Sequence, residues 1–277
     1  MPNKSLLAKA TLADVKTSPF PHLVLTNVLP DELCLQLLKE FPPLSTVAKG
    51  KDLRSNRRFD YSVNDIRKDP SISPLWRSLV EGQVSNEFWQ DVVRLFGSEI
   101  KRLYPQIALD SLSRGIFGTD TYSNVDLISD AHISVNTPVV FNPGSVRGAH
   151  LDDGQELYAA LFYLRHPDDR STGGSLELFR VTTPEYKMHG HYIDNKYLEK
   201  FATVPYERNT LVFFINTPHS IHGVSVREKT NMPRYFVNII GNFEKPIFDV
   251  SSLQEHPVRQ KIRKLFARAR NKVWKTK

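Results

Sequence analysis

Gly148-Ala149-His150-Leu151-Asp152-Asp153 is the stretch on which the rest of the chain turns. His150 and Asp152 are two residues apart. In an extended strand, side chains at i and i+2 point to the same face, so this spacing sets an imidazole and a carboxylate side by side. A second imidazole brought in by a later antiparallel strand would give three ligands on one side of a metal ion. His222 is the candidate, because it opens His222-Gly223-Val224 in a strand-rich part of the chain. His219, three residues earlier, competes with it. Taken alone, His-x-Asp is a weak signal, and Asp152-Asp153-Gly154 also reads as a turn.

The surrounding texture is that of a β protein. From about residue 114 the chain offers strand-like runs at 131–135, 139–141, 157–164, 175–179, 210–215 and 235–241, separated by Gly, Pro, Asn and Asp. Several antiparallel strands of this kind imply two facing sheets with a pocket between them. Two histidines and one carboxylate on such a frame, with coordination positions left open, form the ligand set of non-haem iron(II) oxygenases.

Residues 1–113 read as helical in pieces. Pro30-Asp31-Glu32-Leu33 opens a helix with acids at its positive end. Ser73-Pro74 opens another, and a third runs through Phe88, Val92, Leu95 and Phe96 to end near Gly97. Residues 51–70, with Arg54, Arg57 and Arg58, read as a solvated basic loop or, alternatively, as a substrate-facing segment that carries a guanidinium cluster. Residues 182–205 are a loop-like excursion whose His189 and His191 are a second, weaker metal candidate. The expected division is a helical buttress at 1–113, a catalytic core at 114–246 and a basic amphipathic helix at 247–277.

The formal charge is +7. Nine Lys or Arg and no acid lie from Arg259 onward, and subtracting them leaves −2 for residues 1–258. The near-neutral body argues against a nucleic-acid groove, while the tail, with Ile262, Leu265, Phe266, Ala269 and Val273 on one face, reads as a helix docked on the domain with a solvated basic face or, alternatively, as one that meets an anionic membrane surface, a nucleic acid or an acidic partner. No apolar run reaches the ~18 residues of a membrane span. The amino terminus lacks a secretory pattern. The single Cys34 permits no intrachain disulfide, and a cytoplasmic setting is expected.

Four motifs in order resemble the Fe(II)- and 2-oxoglutarate-dependent dioxygenases of the prolyl-4-hydroxylase type. They are His150-x-Asp152, Leu161-Phe162-Tyr163-Leu164, Thr172-Gly173-Gly174-Ser175-Leu176-Glu177-Leu178-Phe179, and His222-Gly223-Val224 followed by Arg234-Tyr235. They span roughly residues 115–243. The resemblance implies a double-stranded β-helix (jelly-roll) core, mainly β with flanking N-terminal helices and a C-terminal basic helix. It implies iron(II) on His150, Asp152 and His222, with Arg234, Tyr163 and Asn136 toward 2-oxoglutarate, and O2 as the oxidant. Arg227 competes with Arg234, which stands twelve residues after His222, where the family usually has nine or ten. Because position 152 keeps its carboxylate, halogenation is disfavoured.

The activity so implied is hydroxylation of an unactivated C–H bond, with release of succinate and CO2. The substrate would be an amino-acid-like or other small metabolite, or a residue in a protein, and Arg147 stands ready for an anionic one. Two alternatives remain. One is a nucleic-acid demethylase of the same fold, which would use the basic tail on phosphates. The other is a non-catalytic jelly-roll binding protein. The oligomeric state is open.

Overall fold

The computed structural model describes residues 4–183 and 186–254. The expected basic helix falls, from residue 255 on, outside the described residues. The chain is β-rich, with twelve strands and five α-helices among the described residues. The strands are β1 (His22–Thr26), β2 (Arg58–Ser62), β3 (Arg114–Ile116), β4 (Leu127–Asn136), β5 (Glu156–Tyr163), β6 (Leu176–Val181), β7 (Met188–His189), β8 (Tyr192–Ile193), β9 (Leu198–Val204), β10 (Thr210–Ile215), β11 (His222–Val224) and β12 (Arg234–Phe243). The helices are α1 (Asp31–Lys39), α2 (Leu44–Val47), α3 (Val63–Lys68), α4 (Pro74–Gly82) and α5 (Asn86–Leu103).

A seven-stranded sheet runs β1-β10-β5-β12-β4-β2, with β3 parallel to β4 on the same edge as β2. A smaller sheet runs β11-β6-β9. Period-2 alternation sorts the large sheet's side chains between two cores. Ala131, Ile133 and Val135 of β4, Phe213 of β10 and Val237 of β12 join the core shared with α4 and α5. Leu161 and Tyr163 of β5, Phe214 of β10 and Phe236 of β12 face the small sheet, where they meet Leu176 and Leu178 of β6. The helices therefore cover one face of the large sheet, and the other face becomes the wall of a chamber.

The helices form where local chemistry favours them. Ser73 caps α4 by accepting from the Trp76 N–H, with Pro74 at the first helical position, and Ser85 caps α5 by accepting from the Phe88 N–H. Helix α5 runs on past Gly97 to Leu103. Gly97 costs it roughly 1 kcal/mol in propensity, and full burial of Phe96 and Ile100 on either side offsets that by about 1.5–3 kcal/mol each.

Three segments differ from expectation. Within 51–70, residues 58–62 are β2, paired with β4, and residues 63–68 are α3, whose Ser62–Asp65 capping box closes its first turn. Phe59 and Tyr61 alternate inward, and pairing with β4 makes that short alternation a strand. The first 113 residues thus supply β1 and β2 to the large sheet as well as helices. Within 182–205 the chain forms the hairpin β7–β8 and then β9. Residues 139–141 are not a strand. Val139 makes a single bridge to Thr230, and Val140 and Phe141 are exposed. Pro138 and Pro143 flank them, and proline has no N–H to donate to a ladder.

Candidate active site

Residue 150 is held from both sides. Its N–H donates to the His222 carbonyl at 2.8 Å, and the His222 N–H returns a bond at 3.1 Å. On the other side, the Leu151 N–H donates to the His191 carbonyl at 2.9 Å and the Ile193 N–H to the Ala149 carbonyl at 3.1 Å. The segment 149–151 is therefore clamped between β11 and the hairpin strand β8. The pairing of His150 with His222 brings their rings to 4.3 Å. Gly223 lies across from Ala149, where a Cβ would stand 2.8 Å from the Ala149 nitrogen, so only glycine lets the two segments approach this closely.

Asp152 completes the group. Its Oδ1 lies 3.3 Å from His150 Nε2 and its Oδ2 lies 3.4 Å from His222 Nε2. Donor atoms of the three residues lie within 4.8 Å of one another, and among the described residues this is the only such group. All three are buried, at 2%, 6% and 5% exposure for His150, Asp152 and His222. Each histidine donates Nδ1–H to a backbone carbonyl two residues back, His150 to Gly148 at 2.7 Å and His222 to Ser220 at 2.9 Å. These bonds assign the proton to Nδ1 and turn the Nε2 lone pair toward Asp152. His150 Nε2 is buried without a hydrogen-bond partner, the condition of a nitrogen kept for a ligand.

The ionisation states follow from position. Burial pushes the Asp152 carboxyl up, but His222, His150 and Arg147 outweigh it and hold it below the usual carboxylate range. Burial pushes the His222 imidazole down to about 4, against the pull of Asp152. At neutral pH the group is one carboxylate and a neutral imidazole at His222, as metal coordination requires. The Arg147 guanidinium, expected free for an anionic substrate, is paired with Asp152 Oδ1 at 3.1 Å.

The triad opens onto a chamber of about 340 Å³ between the sheets. Arg234 lies in its wall. The guanidinium carbon is 4.8 Å from the Tyr163 ring, 4.9 Å from Tyr206 and 4.8 Å from Phe236, an aromatic box that favours a cation by about 0.5–2 kcal/mol per ring. Its Nε donates to the Gly174 carbonyl at 2.8 Å and its Nη1 to Asn136 Oδ1 at 3.1 Å. Three donors then remain buried and unpartnered: Arg234 Nη2, Tyr163 O–H and Asn136 Nδ2–H. The glycine pair explains itself here. Gly174 has φ +77°, and a Cβ on it would press at 3.1 Å on Arg227 and 3.3 Å on Arg234.

Arg227, also fully buried, takes another course. It donates to the Met232 carbonyl at 2.8 Å and the Thr137 carbonyl at 3.4 Å and does not line the chamber. His219 borders a separate surface cavity with Pro19 and Tyr186. His189 and His191 pair with Asp194 and Asp153 at 3.4 and 3.6 Å and, among the described residues, join no three-ligand group.

No protein-family model matches the chain, and no curated protein matches it in sequence. Among solved structures the chain is similar to prolyl 4-hydroxylases. A Phytophthora capsici example shows 15% identity and a TM-score of 0.46, with coverage of 81% of this chain and 59% of that one. A Pseudomonas putida prolyl-4-hydroxylase shows 13% identity and 0.45, with coverage of 87% and 100%. A non-heme alpha ketoglutarate dependent carbocyclase from nogalamycin biosynthesis shows 13% identity and 0.45, with coverage of 80% and 79%. The chain spans 59% of the length of the Phytophthora protein.

The structure adds chamber residues that the motifs do not mark. Arg58 and Asp60 enter from β2, His132 from β4, Glu156 from the start of β5 and Asn238 from β12. A signal for some of them exists in β4. Asp130, His132, Ser134 and Asn136 alternate with Ala131, Ile133 and Val135, and a polar face on a strand buried on both sides points to a lined pocket. Arg58 donates through Nε to Asp60 at 2.9 Å, and burial raises the Glu156 carboxyl to about 8, helped by the negative charge of Asp152.

Proposed function

We propose that the protein is an Fe(II)- and 2-oxoglutarate-dependent oxygenase that hydroxylates an unactivated C–H bond of an amino-acid-like or other small metabolite, or of a protein residue. The frame we assign is a double-stranded β-helix, with residues 114–246 as the catalytic core. One observation carries the reading. A buried two-histidine, one-aspartate group shares its chamber with Arg234 and Asn136, and these two and the Tyr163 ring against Arg234 carry three buried donors that no protein atom accepts from. The first suits a divalent metal with open positions. The second suits the far carboxylate of a diacid, because a buried guanidinium nitrogen, hydroxyl and amide left unsatisfied cost several kcal/mol together until an anion takes them.

His150 and His222 would hold iron(II) through Nε2 and Asp152 through a carboxylate oxygen. Bound iron and 2-oxoglutarate supply oxidising power, the diacid leaving as succinate and CO2 while one atom of O2 enters the substrate. The chain's own contribution is placement. Backbone carbonyls at Gly148 and Ser220 fix the imidazole tautomers. Arg147 holds one oxygen of Asp152 and limits its rotation. Arg234, Tyr163 and Asn136 would hold the distal carboxylate. Leu161, Leu176, Phe214 and Val224 line the path between the two and keep water from it.

Both chamber cations beside the substrate space are already paired, Arg58 with Asp60 and Arg147 with Asp152. That leaves no free basic stripe for a phosphate backbone, so the nucleic-acid reading finds no support at the mouth. The test is turnover. Protein given Fe(II), 2-oxoglutarate and O2 should form succinate, slowly without a substrate, and the His222→Ala variant should form none. Equal succinate from both would sink the proposal.

A further inference from the structure

The wall of the chamber opposite the small sheet contains polar groups that neither the metal triad nor the carboxylate grip uses. They are tied in series. The Val63 N–H donates to Asp130 Oδ1 at 3.1 Å. His132 Nε2 lies 3.0 Å from Asp130 Oδ2, and its Nδ1 is 3.3 Å from Asn238 Nδ2. A carboxylate only accepts, so this chain assigns the imidazole proton to Nε2 and leaves Nδ1 to accept from the Asn238 amide. The amide is thereby held in one orientation, with its oxygen left over. Asn238 lines the chamber, and among the described residues its Oδ1 takes no donor.

Two more acceptors lie on the same wall. Asp60 is held by Arg58 Nε and by the Ser134 hydroxyl at 2.6 Å, and the register β2-β4-β12 puts Asp60, Ser134 and Phe236 in one row with His132 and Asn238 in the next but one. Glu156 lines the chamber with no cation within 4 Å among the described residues. The charge balance is uneven. Arg58 and Arg147 each contact an acid, whereas Glu156 has no cation in contact, only the more distant Arg147 and Arg58, and burial keeps its carboxyl protonated; Asp130 meets no basic side chain but His132. Beside these acceptors on the same sheet face are Ala159, Leu161 and Ile240, whose side chains offer no hydrogen bond.

We propose that the substrate carries a basic nitrogen, an ammonium group on a largely aliphatic body, which Asn238 Oδ1, Asp60 and Glu156 receive while the aliphatic part lies over Ala159, Leu161 and Ile240 toward the metal. A charged donor is what a buried wall of acceptors lacks. An anionic head group would meet Asp60 as a like charge and would find Arg58 and Arg147 already in contact with Asp60 and Asp152. His132 is a positioning residue in this scheme. It acts through the Asn238 amide rather than on the substrate.

This inference rests on the oxygenase reading, and the experiment separates the two. Protein loaded with Fe(II) and 2-oxoglutarate without oxygen is titrated with L-amino acid amides, leucinamide and valinamide among them, and with their N-acetyl counterparts, in which a neutral acetamide replaces the ammonium. The readout is the change in the visible band of the iron–oxo acid chelate. The same titration on metal-free protein is followed by thermal unfolding, a readout that survives if no chelate forms. Amides with the free amine should bind at least tenfold more tightly than their acetylated partners. Glu156→Gln and Asp60→Asn should each shrink that ratio, and His132→Leu should shrink it less. Equal response to the two sets, response to neither, or preference for the acetylated set would overturn the proposal. Absence of the chelate band itself would count against the oxygenase reading instead.

Discussion

Around Arg234 the chamber offers hydrogen-bond donors that nothing in the protein accepts from; along β2, β4 and β12, toward the candidate metal site, it offers oxygen acceptors, of which Asn238 Oδ1 takes no donor among the described residues and Asp60 is held by Arg58 and Ser134. The two regions share the same sheet and even the same strands. Asn136 and His132 are four residues apart on β4, and Arg234 and Asn238 are four apart on β12, in matching register. What differs is the partner supplied by the rest of the fold. At the Arg234 end, the Gly173-Gly174 turn and three aromatic rings fix a cation and leave its last nitrogen unsatisfied. At the other end, Asp130 and Arg58 spend the local donors on protein atoms and leave oxygen facing the cavity. One sheet face is thereby divided into an anion end and a donor-seeking end, with the metal triad beside them.

The comparison breaks most sharply at the triad, which both ends serve. Asp152→Ala should lower iron(II) affinity by about 100-fold or more, since it removes a ligand outright, where the loss of a supporting partner alone costs 10–100-fold. Equilibrium dialysis with metal analysis reads this directly. The next largest effect belongs to the anion end. Arg234→Ala should raise the 2-oxoglutarate requirement by roughly 30- to 1,000-fold, the equivalent of about 2–4 kcal/mol for one lost partner of a buried charge pair. Arg227→Met, an equally buried guanidinium outside the chamber, should lower the melting temperature instead and move that requirement less than about threefold.

The acceptor end gives smaller effects with a definite sign. The Glu156 carboxyl has a folded pKa of about 8, above its ordinary 4.5. Between those values the folded chain keeps a proton that the unfolded chain has lost, so its contribution to stability falls as pH rises through that window. Glu156→Gln removes the penalty and should stabilise the metal-free protein at pH 8.5 by on the order of 1–2 kcal/mol in urea denaturation, with little effect near pH 4. The His222 imidazole slopes the other way. Its folded pKa of about 4 lies below the ordinary 6.5, so the unfolded chain takes up a proton that the fold refuses and stability declines as pH falls from 6.5 toward 4. In the Glu156→Gln background that decline should amount to about 1 kcal/mol and should shrink in His222→Gln.

Much of the candidate site was legible in the sequence. His150 and Asp152 are readable because strand periodicity alone puts them on one face, and Arg234 and Tyr163 because ordered motifs surround them. The donor-seeking wall was not. Arg58 and Asp60 sit in a short basic run that looks solvated, and only pairing with β4 makes it a strand whose alternate residues enter a cavity. His132 and Asn238 lie in strands that read correctly as strands, yet which face meets water, helix or chamber depends on what packs there. The hairpin β7–β8 is the same lesson at smaller scale. Strands of two residues have little propensity of their own, and this pair is ordered by its bonds to residues 149–151. Cys34 is fully buried, its thiol pushed up to about 12 by burial. Among the described residues no helix is long and apolar enough to cross a membrane.

The account stands on the claim that one chamber takes iron(II) and 2-oxoglutarate together. Metal-free protein under nitrogen, given Fe(II) and then 2-oxoglutarate, tests it without any substrate. A weak visible charge-transfer band should grow with 2-oxoglutarate in the wild type, disappear in His150→Ala, need far more 2-oxoglutarate in Arg234→Ala and persist nearly unchanged in Arg227→Met. No band at saturating metal, or a band indifferent to Arg234, would contradict it.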